Sequence, residues 1–178
     1  MNAEEMIAHA ESLSLDYTNG MHNRVSKRAG LYRRVTVEGD YAFKAVHSEK
    51  DAEYNRAEWD FYTMTTDEIR AMLAKCVYIS RNGNILVMER CTPWYERSEH
   101  FDSEPLSEIE RELDRATEHA HGFVIGDLHG NNWGVREDGT VVVLDYGDVL
   151  YRVNDRIEPD ESYNRNVMGE VFSPLVVA

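Results

Sequence analysis

Asp127, Asn132, Asp145, Lys44 and Glu58 are the residues of this chain whose types and spacing suit chemistry. Asp127 opens the run Asp-Leu-His-Gly-Asn-Asn, Asn132 closes it, and Asp145-Tyr146-Gly147 follows the apolar stretch 142–144. Carboxylate and amide oxygens are hard donors suited to a divalent cation such as Mg2+. A carboxylate outside a metal's shell can orient a hydroxyl group and its proton. Upstream, Lys44 ends the alternating segment Tyr41-Ala42-Phe43-Lys44, and Glu58 follows within a helical pattern. Taken singly, each has a plainer explanation. A strand lysine is usually solvated, and loop Asp and Asn side chains satisfy backbone donors in Asx turns.

The order of these residues argues for more. Tyr41-Ala42-Phe43-Lys44-Ala45-Val46, Glu58, Ile85-Leu86-Val87-Met88-Glu89-Arg90, Asp127…Asn132 and Asp145-Tyr146-Gly147 occur in the sequence of motifs that protein kinases carry. The chain resembles the protein-kinase-like superfamily, in particular the small kinase-like proteins encoded by bacteriophages, over residues 17–150.

That resemblance implies ATP- and Mg2+-dependent phosphoryl transfer, with Ser or Thr on a protein as acceptor and a host protein as a candidate partner. Asp127 would orient the acceptor hydroxyl, and Asn132 and Asp145 would ligate Mg2+. Lys44 would pair with the α- and β-phosphates and be held by Glu58, with Glu53 as an alternative partner. A partly exposed pair of this kind would add only ~0–1 kcal/mol to stability. The backbone at Glu89 and Cys91 would meet adenine, with Met88 as gatekeeper or plain core. The glycine-rich loop is absent; between Gly20 and Gly30, Lys27 or Arg28 would cover the phosphates, or form a solvated basic turn. Gly126 and Ile125 stand where many kinases have Arg and His, which argues against control by loop phosphorylation. After Gly147 there is no room for an activation segment, an Ala-Pro-Glu motif and a large helical lobe.

Three other readings compete. Gly126 to Asn132 also looks like the aminoglycoside and choline kinase loop, which implies a small-molecule acceptor. The degenerate glycine loop suits a pseudokinase-type module that binds nucleotide or a host protein without transfer. An acidic mimic of DNA would rest on charge alone. His119, His121 and His129 with Asp127 make a poor zinc set, because His-x-His on a helix splays its rings.

Charge and composition bound these readings. Of 178 residues, 42% are hydrophobic and ten are Tyr, which suits a folded globule. Residues 1–50 hold seven acids and seven bases, so the net charge of −14 belongs to residues 51–178. Such a surface repels nucleic-acid backbones. No apolar run approaches the ~20 residues of a membrane span. The acidic start is unlike a signal peptide, and two cysteines in apolar segments suit reduced thiols in a cytoplasmic protein.

The elements that must position the site are read from periodicity. Met6, Ile7, Ala10 and Leu13 predict a helix over 3–15. Residues 17–46 read as strands, with a hairpin of 31–37 and 41–46 turning at Glu38-Gly39-Asp40. Ser48 would cap a helix over 49–64 with Ala52, Ala57, Phe61 and Met64 inward, and a short helix from Thr66 would end near Lys75. Strands at 76–80 and 84–89 flank Asn82-Gly83. A charged helix over 107–121, buried through Leu106, Ile109, Leu113 and Ala116, leads to the loop. A second hairpin spans 133–135 and 140–144, and the last clear apolar run is 172–177. The predicted fold class is α+β and protein-kinase-like: a helix at 1–16, a five-stranded antiparallel N-lobe with a helix at 17–90, and an abbreviated C-lobe at 91–178.

Overall fold

The computed structural model describes residues 1–18, 33–47, 49–97, 104–126, 128–147 and 150–152. Lys27, Arg28, Gly20, Gly30, Ser48, Asp127 and the apolar run 172–177 lie outside the described residues.

Helix α1 (Ala3–Thr18) is started by a reciprocal cap: Asn2 N donates to Glu5 Oε2 and Glu5 N to Asn2 Oδ1, both at 2.9 Å. Tyr17 and Thr18 continue this helix; they were expected to begin a strand. Helix propagation, once nucleated, adds a bond for each residue fixed. Met6 and Ala10 are buried, while Ile7 is 39% exposed.

Four antiparallel strands form the first sheet in the order β1-β2-β4-β3: β1 (Arg33–Glu38), β2 (Tyr41–Val46), β3 (Cys76–Ile79) and β4 (Ile85–Glu89). Five were expected. The additional strand was read in residues 17–30, which are helical to Thr18 and otherwise outside the described residues. Register decides what each face carries. Lys44 lies opposite Val35 and Leu86, and Ala42 opposite Val37 and Met88, so all six share one face. The other face turns Phe43, Ile85 and Val87 onto Met6 and Ala10 of α1. One face is therefore covered by α1, and the other receives the site.

A 3-10 turn (Glu49–Asp51) precedes α2 (Ala52–Met64), and Asp51 at its N-cap makes no side-chain cap bond. Its buried stripe is Ala52, Asn55, Glu58 and Phe61; Met64, expected inward, is 52% exposed. Two polar residues hold positions that a hydropathy pattern assigns to apolar ones. Thr66 caps α3 (Asp67–Ala71), its side chain accepting from Ile69 N. This helix stops short of Lys75 because the chain is captured by another strand. Val143 N donates to Met72 O at 2.9 Å and Ala74 N to Val143 O at 2.8 Å.

Beyond β4 come β5 (Thr92–Pro93), α4 (Trp94–Arg97) and α5 (Glu104–His121), whose Leu106 and Leu113 enter the main core. Strands β7 (Trp133–Val135) and β8 (Val141–Val143) form a sheet with β5, while β6 (Phe123–Ile125) pairs with β9 (Leu150–Arg152). β6 and β9 flank the segment 126–149 in sequence, and their antiparallel pairing sets Ile125 opposite Leu150. Among the described residues no helix is long and apolar enough to cross a membrane.

Candidate functional site

Lys44 projects from β2 toward α2, and Glu58 meets it from the buried stripe of that helix. The ammonium donates to Glu58 Oε1 at 2.7 Å and Oε2 at 2.9 Å. A third bond runs to the carbonyl of Leu144 at 2.6 Å, and Asp145 Oδ1 stands 3.7 Å away. Lys44 is 5% exposed and Glu58 fully buried. The expectation of a partly exposed, energetically minor pair is therefore corrected. An ion pair out of water is costly to break from one side, because it leaves the other charge unmatched. Glu53, the alternative partner, faces solvent.

Asp145 follows β8 directly. Its carboxylate accepts from Arg33 Nη2, and Arg33 Nη1 donates to Glu58 Oε2 at 2.6 Å. Burial pushes the Asp145 carboxyl up; Lys44, Arg33 and the Gly147 amide outweigh it and hold the group below its ordinary range. Tyr146 N donates to Glu58 Oε1 at 3.1 Å. Asn55 fixes the helix to the sheet by donating to the carbonyls of Lys44 at 3.3 Å and Gly83 at 2.9 Å.

Asn132 ends a 3-10 turn (Gly130–Asn132) that His129 caps, its ring accepting from Asn131 N. The Asn132 carbonyl accepts from Leu144 N at 2.6 Å. Trp133 pairs with Val143, so Asn132 and Asp145 emerge at the same end of one hairpin. One carboxylate and one amide form a donor set that suits Mg2+. That ion takes few protein ligands and completes its shell with water and phosphate. Asp127 cannot be added to this geometry, since it lies outside the described residues.

The remaining expected residues divide. Met88 is 2% exposed and packs in the core beside Phe61, Leu86 and Tyr146. Glu89 turns its carboxylate to Arg136 Nε at 2.9 Å and accepts from Lys75 N at 2.8 Å. Cys91 is half-buried, and burial, with Glu89 nearby, pushes its thiol up to about 12. Val35 and Val37, 39% and 49% exposed, extend an apolar strip from Ala42 and Met88 on the face that carries Lys44. A surface pocket beside the Glu89–Arg136 pair is lined by Asp40, Arg90 and Thr92, and contains neither Lys44 nor Asp145.

Two residues escaped sequence reasoning. Arg33 belongs to none of the motifs, although strand alternation puts it on the face of Val35 and Val37. Arg136 bonds the carbonyls of Ala71 and Leu73 at 3.0 and 2.8 Å as well as Glu89, fastening the β7–β8 hairpin to the chain ahead of β3. No local pattern signals it.

A mixed α/β fold with a lysine, a helix glutamate and an Asp-x-Gly turn converging between two sheets is kinase-like. The solved structures agree at the level of fold. A crystal structure of WbdD at 2.2 Å matches with a TM-score of 0.56 and 17% identity, covering 82% of this chain and 36% of that one. A second structure, described as the bifunctional kinase-methyltransferase WbdD, gives 0.50 and 18%, covering 79% and 34%. This chain thus spans about a third of the WbdD chain. No family model matches, and no curated protein matches.

Proposed function

We propose that the chain is an ATP- and Mg2+-dependent phosphotransferase, with a Ser or Thr hydroxyl of a protein as acceptor. The observation that carries this reading is the buried Lys44–Glu58 pair, docked on the Leu144 carbonyl beside Asp145. A lysine fixed at both ends has little freedom left, and phosphoryl transfer depends on such positioned charge. Lys44 would hold the α- and β-phosphates while Glu58 keeps it aimed. Asn132 and Asp145 would hold Mg2+, which when bound neutralises charge developing on phosphate oxygens. Val37 and Ala42 offer an apolar surface to adenine, with Met88 packed behind them in the core, near the backbone of Glu89 and Cys91. Asp127 would orient the acceptor hydroxyl. The kinase-like fold shared with WbdD supports the class of reaction, not the acceptor.

The test has two parts. Mg2+-ATP should raise the melting temperature, with about 2.7 kcal/mol gained at a hundredfold excess over Kd, and labelled ATP with a cell lysate should label protein. No melting shift at millimolar Mg2+-ATP overturns the reading. One observation favours a second: Arg33 engages Asp145, which suits a module that binds nucleotide without transferring phosphate. That module would show the melting shift and no labelled acceptor.

A further inference from the structure

Arg33 belongs to no motif, yet it touches both carboxylates of the site. Its guanidinium, 7% exposed, gives Nη1 to Glu58 Oε2 at 2.6 Å and Nη2 to Asp145 Oδ1, with Asn55 Oδ1 at 3.4 Å. Lys44 already holds Glu58 through both oxygens and stands 3.7 Å from the same Asp145 oxygen. Among the described residues, two cations therefore match two carboxylates in this quartet. Asp145 keeps 35% of its side-chain surface, so it is the member of the quartet that a cation from solvent can reach.

A divalent ion arriving there alone meets a carboxylate whose charge is already matched, with two positive groups beside it. Both of those positive groups are themselves out of water, which keeps the repulsion poorly screened. A polyphosphate changes the balance, because it brings negative charge and oxygens that a guanidinium fork fits better than it fits one carboxylate oxygen. We propose that Arg33 is a resident counter-ion that masks Asp145 and makes metal binding there conditional on nucleotide. The masking stands on the ion-pair geometry alone; the release by polyphosphate rests on the nucleotide reading above.

Mn2+ titration followed by electron paramagnetic resonance, without nucleotide, tests the masking directly. Arg33→Met should bind Mn2+ at least about tenfold more tightly than wild type, as an acid freed of its counter-ion must. Arg33→Lys should stay near wild type, and the double variant Arg33→Met/Asp145→Asn should lose the gain. Equal Mn2+ binding by wild type and Arg33→Met overturns the proposal. Should Arg33→Met fail to fold, the Arg33 Nε–H resonance of the wild type replaces it. Mg2+ alone should leave that resonance in place, and Mg2+ with a non-hydrolysable ATP analogue should move it; movement with Mg2+ alone overturns the mask. The two readings fail separately. Wild type that ignores Mg2+-ATP, with Arg33→Met gaining Mn2+, removes the nucleotide and keeps the mask; the reverse keeps the nucleotide and removes the mask.

Discussion

The amide of Tyr146 donates to Glu58 Oε1 at 3.1 Å, so the carboxylate that grips Lys44 also grips the Asp-Tyr-Gly turn. Helix α2, strand β2 and the end of β8 are tied through one buried side chain. A disturbance at any of the three reaches the other two.

Lys44→Met should therefore harm both function and fold. The proposed phosphate pairing would be lost, and phosphotransfer should fall sharply. Stability should fall as well, by about 3 kcal/mol, the low end for breaking a buried pair, because Arg33 still offers Glu58 a positive partner. Urea unfolding alongside the transfer assay reads both; a stability change under ~1 kcal/mol would mean that the pair is solvated.

Gly147→Ala addresses the closeness of the turn to α2. A methyl group there would come within 2.8 Å of the Tyr54 carbonyl oxygen and 3.1 Å of Glu58 Cβ. One neighbour is helix backbone and cannot swing aside, so the turn must move. Overpacking of this kind costs about 1–3 kcal/mol, and here it should also weaken nucleotide binding by shifting Asp145. Wild-type stability and affinity together would show that the helix is not seated as described.

Cys76 and Tyr146 give a chemical readout of the same core. Tyr146 Oη donates to Ala74 O at 2.8 Å, so the Cys76 thiol donates in turn to Tyr146 Oη across 3.0 Å. Burial first, then the Glu58 charge, pushes that thiol up to about 12. An aromatic disulfide reagent at pH 8 should leave Cys76 intact until the protein unfolds, since only the thiolate reacts. Tyr146→Phe should cost about 1–2 kcal/mol by orphaning the Ala74 carbonyl. Rapid labelling of Cys76 in the native protein would contradict this packing.

How far the chain could be read in advance follows from where each contact comes from. The meeting of Lys44 with Glu58 is carried by one strand and one following helix, so their separation in sequence is diagnostic. Asn132 and Asp145 likewise bracket a single hairpin. Arg33 was hidden because its role depends on register: only the pairing Arg33↔Val46 puts it over α2. Asn55 was passed over in the α2 stripe because hydropathy treats a buried polar residue as an exposed one, Met64 was placed inward in error, and Glu58 was found only through the order of the motifs. The end of α3 was misjudged because a strand more than sixty residues away captures Met72 and Ala74. Arg136 reaches Glu89 from the far end of another hairpin, a contact that periodicity cannot carry.

On α5, Glu110, Asp114 and Glu118 follow one another at four-residue spacing. Burial, then the charges of Glu110 and Glu118, pushes the Asp114 carboxyl up to about 6, against an ordinary value of 3.8. Between those two values the folded protein thus holds a proton that the unfolded chain releases. The favourable contribution is complete below the unfolded value and is lost as pH rises through about 4 to about 6. Asp114→Asn should flatten stability over that window. At pH 7 it should add roughly 0.5–1 kcal/mol by removing two like-charge pairs. Urea midpoints at pH 4.5 and pH 7 decide it, and an unchanged difference between the two would put the strain elsewhere.

Asp145→Asn and Asp127→Asn should fail in different ways. Asp145 stands between Arg33 and Lys44, with its carboxyl held below the ordinary range. Removing its charge takes away the proposed metal ligand and upsets the balance of the quartet. Mg2+ dependence and nucleotide binding should therefore weaken together. Asp127, five residues ahead of Asn132 in the sequence, is read as the acid that orients the acceptor hydroxyl. Asp127→Asn should keep nucleotide affinity and lose turnover by ~10²-fold or more, as for loss of a general base. If both acids served only as turn caps, either change would cost about 1 kcal/mol of stability and nothing specific to ATP. Calorimetric ATP titration with and without Mg2+, beside a transfer assay, separates these outcomes. Wild-type behaviour of both variants in both assays would remove the phosphotransferase and leave a kinase-shaped binding module.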